Sequence, residues 1–186
     1  MTSAISIREA KPEDWKIYSS LRLEALQESP RVFGGAFAEE SRYSAQQWME
    51  WLHPHLKAIF VLSDGKQPIG FTAMMTDREC PATGHFIASY IKPEYRGRRL
   101  SDMLFKARTA LALEMKDWKK VVTCHREGNE VSQRAIMRNG FVLKDIVSTQ
   151  WPDGTTGNRY DYELDPDDLR RKNLSLNQSN PKQHGI

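Results

Sequence analysis

Between positions 96 and 102 the chain reads Arg96-Gly97-Arg98-Arg99-Leu100-Ser101-Asp102. Three guanidinium groups and a glycine stand just ahead of an apolar stripe at helical spacing. A loop of this kind at a helix N-terminus offers backbone N–H groups and positive charge to an anion, most naturally a phosphate. Further along, Thr123-Cys124-His125-Arg126-Glu127 leads out of an apolar run. His125, with an unperturbed pKa of about 6.5, is suited to take a proton at neutral pH. Glu127 could do so directly or through water, and Cys124 offers a nucleophile. Plainer readings stand beside these. His125 is then a satisfied strand-end residue, Glu127 pairs with Arg126 or caps the next helix, and Cys124 is a small core residue. His85 and Glu79 are further candidates for proton transfer. A nucleotide-triphosphate P-loop is excluded, because no GxxxxGK[ST] occurs.

The elements around these residues follow from periodicity and turn chemistry. Ile5 to Glu9 alternates as a strand, and Lys11-Pro12-Glu13-Asp14 starts a helix reaching about Gln27. Ile17, Tyr18, Leu21 and Ala25 share its apolar face. Phe33-Gly34-Gly35-Ala36-Phe37 reads as a hinge between helices or as a mobile pocket wall. Ser44-Ala45-Gln46-Gln47 resembles a capping box opening a helix with Trp48, Trp51 and Leu52 as core residues. Ala58–Leu62 and Ile69–Met75 form a hairpin about Asp64-Gly65. Phe86–Ile91 is a central strand, apolar on both faces. Lys92, Pro93 and Glu94 stop it before the basic loop. The next helix carries Leu100, Met103, Leu104, Ala107 and Leu111. Then come a strand from Val121 to Cys124, a helix from Asn129 to Asn139 closed by Gly140, and strands Phe141–Thr149 and Asn158–Leu164.

This order predicts an α/β fold: a single-domain, mixed, mostly antiparallel β-sheet flanked by helices on both faces. The domain spans residues 1–165. Residues 166–186 form a polar C-terminal tail, with Asp167–Arg171 as a short helix. The length of 186 residues suits one well-buried domain. A net charge of +3 calls for neither nucleic acid nor an acidic membrane as partner. The two cysteines, Cys80 and Cys124, lack a CxxC neighbour, so no metal is expected. No signal peptide or membrane-length apolar run is visible, and the expected location is cytoplasmic.

The strand, the loop Lys92-Pro93-Glu94-Tyr95-Arg96-Gly97-Arg98-Arg99-Leu100-Ser101 and the helix, followed by Asn129 and then Gly140-Phe141, resemble the GNAT superfamily of N-acetyltransferases. The resemblance runs from about Ile5 to Leu164 and is strongest from Phe86 to Phe141. It implies acetyl-CoA as cosubstrate and direct acetyl transfer to a primary amine. It implies that the backbone of Ser89, Tyr90 and Ile91 pairs with the pantetheine and acetyl group. It further implies that Gly97, Arg98, Arg99, Leu100, Ser101 and Asp102 wrap the pyrophosphate, with Arg96 in its usual place. Asn129 then meets the pantetheine arm, and Ser132 contacts the thiol or pantetheine. Arg134 and Arg138 read as surface charges, with the nucleotide phosphate as the alternative. The strand end carrying His125 and Glu127 is expected to splay from the Ser89–Ile91 strand, leaving thioester and amine in the gap. A homodimer is compatible with the fold.

Two features depart from the family pattern, one in the loop and one in the helix. Arg99 and Ser101 stand where small residues, mostly glycine, are usual, and glycine lets backbone approach a phosphate closely. Ile136 stands where many members place a tyrosine that protonates the departing thiolate. A thiol of pKa ~8.5 costs only about 2 kcal/mol to expel as thiolate at pH 7, whereas a lysine-like amine of pKa ~10.4 costs about 4.6 kcal/mol to deprotonate. The base is therefore the more valuable catalyst, and His125 and Glu127 are its candidates. The same departures favour a rival reading, a non-catalytic acyl-CoA-binding module. A phosphate or nucleic-acid binder built on Arg96, Arg98 and Arg99 lacks the aromatic-rich basic face such a role needs.

Overall fold

The computed structural model describes residues 4–53 and 57–171. Among the described residues seven strands form one sheet in the order β1-β2-β3-β4-β5-β7-β6. They are β1 (Ile5–Glu9), β2 (Lys57–Asp64), β3 (Gln67–Thr76), β4 (Thr83–Ile91), β5 (Lys120–Arg126), β6 (Val142–Gln150) and β7 (Thr156–Leu164). Every neighbouring pair is antiparallel except β4 with β5. The mixed sheet expected from the element order is present, with β7 inserted between β5 and β6. The β2–β3 hairpin turns at Gly65, whose φ of +58° is the left-handed conformation such a turn needs.

The helices that flank the sheet among the described residues are α1 (Trp15–Glu28), α2 (Phe37–Glu40), α3 (Ala45–Trp51), α4 (Ser101–Glu114) and α5 (Glu130–Arg138). A single tight turn at Pro12–Asp14 precedes α1. Ser44 caps α3 through the Gln47 N–H, and the Gln47 side chain bonds back to the Ser44 N–H. On one face of the sheet, Tyr18, Leu21 and Ala25 of α1 and Trp48 of α3 pack on Ile59, Val61, Phe71 and Tyr90. On the other face, Phe105 and Ala112 of α4 and Ile136 of α5 pack on Phe60, Met74, Phe86, Val121 and Tyr162. Helices therefore lie on both faces.

Two details differ from the sequence reading. The Phe33–Phe37 stretch is not one open hinge, because Phe37 already begins α2. The buried stripe of α4 is Leu104, Phe105, Arg108 and Ala112, so a charged residue sits where periodicity alone would not place one. Residues 166–171 are helical, and the Arg170 guanidinium donates to the Met115 carbonyl at 3.1 Å. The rest of the predicted tail lies outside the described residues. Among the described residues no helix is long and apolar enough to cross a membrane.

Candidate functional site

β4 and β5 pair only at Thr83–Lys120, Gly84–Val121 and His85–Val122. Beyond that, Thr123 Oγ1 donates to the Phe86 carbonyl at 2.9 Å. Past this bridge no hydrogen bond among the described residues joins the two strands, and Ile87–Ile91 lines one side of an open wedge. The opening has a local cause. Phe71 pairs with Tyr90 while Ala73 pairs with Ile87, so β4 carries one more residue than β3 over this step. The extra residue is absorbed with Ala88 at a φ of +47°. Such a bulge bends its strand away from regular pairing.

The chain leaves β4 through the turn Pro93–Tyr95 and enters the basic loop. Gly97 and Arg99 both take left-handed backbone, at φ of +78° and +56°. Among the described residues the N–H groups of Gly97, Arg98, Arg99, Leu100 and Ser101 have no acceptor. Leu100 is buried against Leu62, Ile69 and Leu104, which pins the loop to the core. The 14-residue α4 adds the positive end of its dipole at this point. Consecutive free N–H groups at a helix start are an anion cradle.

The loop's side chains are less free than its backbone. Arg96 donates through Nε to the Ile91 carbonyl at 2.8 Å and through both terminal nitrogens to Glu28 at 3.0 and 2.7 Å. These bonds hold the Glu28 carboxyl below the usual range. Arg96 thus ties the end of β4 to α1. Arg98 stacks on Tyr95 with 5.5 Å to the ring centre. Asp102 accepts from Arg138 at 2.7 Å, which lowers its pKa. On β4 itself, the Ser89 hydroxyl meets Thr72 Oγ1 at 2.8 Å. Tyr90 is buried toward α1 and donates to Glu24 at 3.0 Å; burial first, then that carboxylate, push its pKa up. Whatever Tyr90 offers the wedge, it offers through its backbone.

On the other side of the wedge, Asn129 is the N-cap of α5, accepting from the Ser132 N–H at 3.1 Å. Its amide N–H₂ is left over. His125 is buried, stacks on Tyr160 at 4.9 Å, and has partners at both ring nitrogens. Nδ1 lies 2.9 Å from the Arg126 carbonyl and Nε2 lies 2.9 Å from the Tyr162 hydroxyl. A carbonyl only accepts, so Nδ1 carries the hydrogen, and in the neutral ring Nε2 accepts from Tyr162. Glu127 is exposed and accepts from the Asn158 N–H at 3.2 Å and its side-chain amide at 3.4 Å. Cys124 is exposed rather than a core residue; desolvation of its thiol and the nearby Asp161 push its pKa up, away from a ready nucleophile. Ile136 is buried in the core under α5. His85 pairs with Asp77 at 2.7 Å near the start of β4, at the closed end of the wedge.

A sequence model of the acetyltransferase (GNAT) family matches residues 20–141. The chain belongs to the GNAT acetyltransferase family. Solved structures share its fold at low identity. A putative acetyltransferase from Salmonella typhimurium, solved with its cofactor acetyl-CoA, is 14% identical, with a TM-score of 0.72 over 88% of this chain and 94% of that one. The ribosomal-protein-S5-alanine acetyltransferase from Vibrio fischeri is 16% identical, with a TM-score of 0.74 over 88% and 94%. The spermidine N-acetyltransferase from Vibrio cholerae, in complex with CoA and spermine, is 13% identical, with a TM-score of 0.69 over 88% and 96%. A comparison with curated proteins finds no match.

In this GNAT chain the end of β5 carries a latch that sequence reasoning missed. The Arg126 guanidinium lies over the Trp151 ring at 4.9 Å and donates to Asp153 at 2.8 Å, to Thr155, and to the Arg31 carbonyl at 3.2 Å. It joins the β6–β7 turn to the segment after α1. The partners lie far apart in sequence, so no local pattern announces them. Two shallow surface concavities, lined by Glu39, Tyr43, Gln47 and neighbours on α2 and α3, include no residue of the wedge or the loop. Among the described residues no group of His, Cys, Asp and Glu could hold a metal ion.

Proposed function

We propose that this chain transfers an acetyl group from acetyl-CoA directly to a primary amine of a small molecule or of a peptide or protein. The observation that carries the reading is the run of N–H groups without acceptors from Gly97 to Ser101, at the start of α4 and directly after the open half of β4. A pyrophosphate needs such a cradle, and an extended pantetheine arm needs a free strand edge beside it. The relatives solved with acetyl-CoA, and with CoA and spermine, support the choice of donor and of an amine acceptor.

Acetyl-CoA supplies an activated thioester. Backbone N–H groups of β4 near Ile91, uncommitted to β5, stabilise negative charge on the carbonyl oxygen. The amine nitrogen attacks the carbonyl carbon, the C–S bond breaks, and CoA leaves as thiol or thiolate. We assign the amine proton to Glu127, through one water, because its bonds to Asn158 leave lone pairs uncommitted. His125, with both nitrogens engaged, holds the end of β5 in position. Asn129 and Ser132 steady the pantetheine.

One observation favours the second reading, a non-catalytic acyl-CoA-binding module: buried Ile136 offers the leaving thiolate no proton. Release of CoA thiol from acetyl-CoA, followed with spermidine, a lysine peptide and alanine-ended peptides, separates the two. Turnover on any amine, reduced in kcat by Glu127→Gln, supports transfer. Tight CoA binding with no turnover on any amine supports the module, and failure to bind CoA overturns both.

A further inference from the structure

We infer that Arg138 is a phosphate ligand of the donor site and that it also masks the carboxylate of Asp102 from the bound anion. The inference rests on the reading that the loop before α4 takes the donor's phosphates. Arg138 belongs to the last turn of α5. Its Nε and Nη2 both donate to Asp102 Oδ1, at 3.1 and 2.7 Å, and Nη2 also lies 3.3 Å from Ser101 Oγ. The guanidinium therefore lies over the first turn of α4, beside the last of the free N–H groups.

Arg126–Asp153, Arg170–Asp167 and Arg171–Asp168 each join one nitrogen to one carboxylate oxygen. In Arg8–Asp14, Arg22–Glu40, Arg96–Glu28 and Arg159–Asp161 the guanidinium meets both carboxylate oxygens. Such forked pairs satisfy each other and serve as staples. Arg138 instead converges two nitrogens on one oxygen. Among the described residues its Nη1 has no acceptor. The side chains of Arg138 and Asp102 are 41% and 29% exposed, so a ligand can reach them.

Charge points the same way. A carboxylate in the first turn of a helix suits the dipole but repels a phosphate held at that turn. Asp102 is thus a liability in an anion cradle unless a cation covers it. Arg138 covers it and keeps one arm for the phosphate. Beside Arg99 it supplies at the cradle a cation with one uncommitted nitrogen, whereas Arg96 is committed to Glu28 and Arg98 is stacked on Tyr95.

Calorimetric titration of CoA and dephospho-CoA into wild type, R138Q and D102N tests this, with thermal melts run on each protein. Arg138→Gln is expected to weaken CoA about tenfold, the loss of one charge-assisted contact. Asp102→Asn breaks the same bridge yet is expected to leave CoA binding equal or tighter. A mere staple between α4 and α5 would make both variants lose affinity in parallel, and that result, or R138Q binding CoA like wild type, overturns the inference. An equal loss with dephospho-CoA assigns the contact to the diphosphate, and a loss confined to CoA assigns it to the 3′-phosphate. Should R138Q fail to fold, D102N decides: retained or tighter binding supports the inference, and weaker binding overturns it. Wild type that does not bind CoA would overturn the functional reading instead.

Discussion

The guanidinium of Arg22 in α1 meets the carboxylate of Glu40 in α2 through two hydrogen bonds, Nε to Oε2 at 2.8 Å and Nη2 to Oε1 at 2.6 Å. Their side chains are only 7% and 5% exposed. The pair sits over Gly35, where an added Cβ would fall 2.0 Å from Glu40 Oε1 and 2.6 Å from Arg22 Nη2. The paired glycines therefore differ in kind: Gly34 faces open space, while Gly35 is the gap into which the ion pair fits. A stretch that reads as a hinge is clamped at one end.

Removing one partner leaves a buried charge uncompensated. Glu40→Gln is expected to lower the free energy of unfolding by about 3–5 kcal/mol, read by chemical denaturation. Gly35→Ala should also destabilise, because the guanidinium and carboxylate must separate to admit the methyl group. Equal stability of Gly35→Ala and wild type would show that the pair tolerates displacement.

Arg99 holds a φ of +56° in the anion loop, a conformation that costs a non-glycine residue roughly 1–2 kcal/mol. Arg99→Gly is expected to relieve that strain, set against the greater freedom of glycine in the unfolded chain. The net expectation is a gain of up to about 1 kcal/mol, with CoA binding retained, since the N–H is unchanged. A loss of stability would mean that the Arg99 side chain makes a compensating contact.

The loop, the helix after it and the Asn129–Gly140 helix were legible because their signals are local. Gly97, the apolar stripe from Leu100, the cap at Asn129 and Gly140 at a φ of +88° each act within a turn of themselves. What was illegible depends on partners far along the chain. Nothing near Arg96 points to Glu28, and nothing near Arg126 points to Asp153. The wedge itself was expected only from family likeness, because its bulge falls at Ala88, an alanine that carries no turn signal. Arg108 escaped because a charge interrupts the periodicity used to find buried faces.

Arg108 is 1% exposed, lies 4.5 Å from the ring centres of both Phe86 and Phe105, and has an Nη2 with no partner among the described residues. Desolvation pushes its pKa down to about 9. Arg108→Met keeps the length and removes the buried charge, so it should stabilise the fold by roughly 1–3 kcal/mol. The sign with pH follows from proton counting. Below pH 9 both states hold the proton and the penalty is complete. Above it the unfolded chain binds more protons than the folded one, so wild-type stability should rise relative to Arg108→Met. Parallel stability curves for the two proteins from pH 8 to 11 would show that the cation is held without penalty, by the two rings.

Asn129 combines two duties that different substitutions separate. Its side-chain oxygen caps α5 by accepting from the Ser132 N–H, and its amide nitrogen is free for a ligand. Asn129→Ala loses both, so it should destabilise the fold by about 1 kcal/mol and also weaken CoA binding. Asn129→Asp keeps a capping oxygen and loses only the donor, and a carboxylate near a helix start is favourable. It should therefore melt like wild type while binding CoA as weakly as the alanine variant. If Asn129→Asp binds CoA like wild type, the amide is not a donor to the pantetheine, and the effect of Asn129→Ala is transmitted through the frayed first turn of α5.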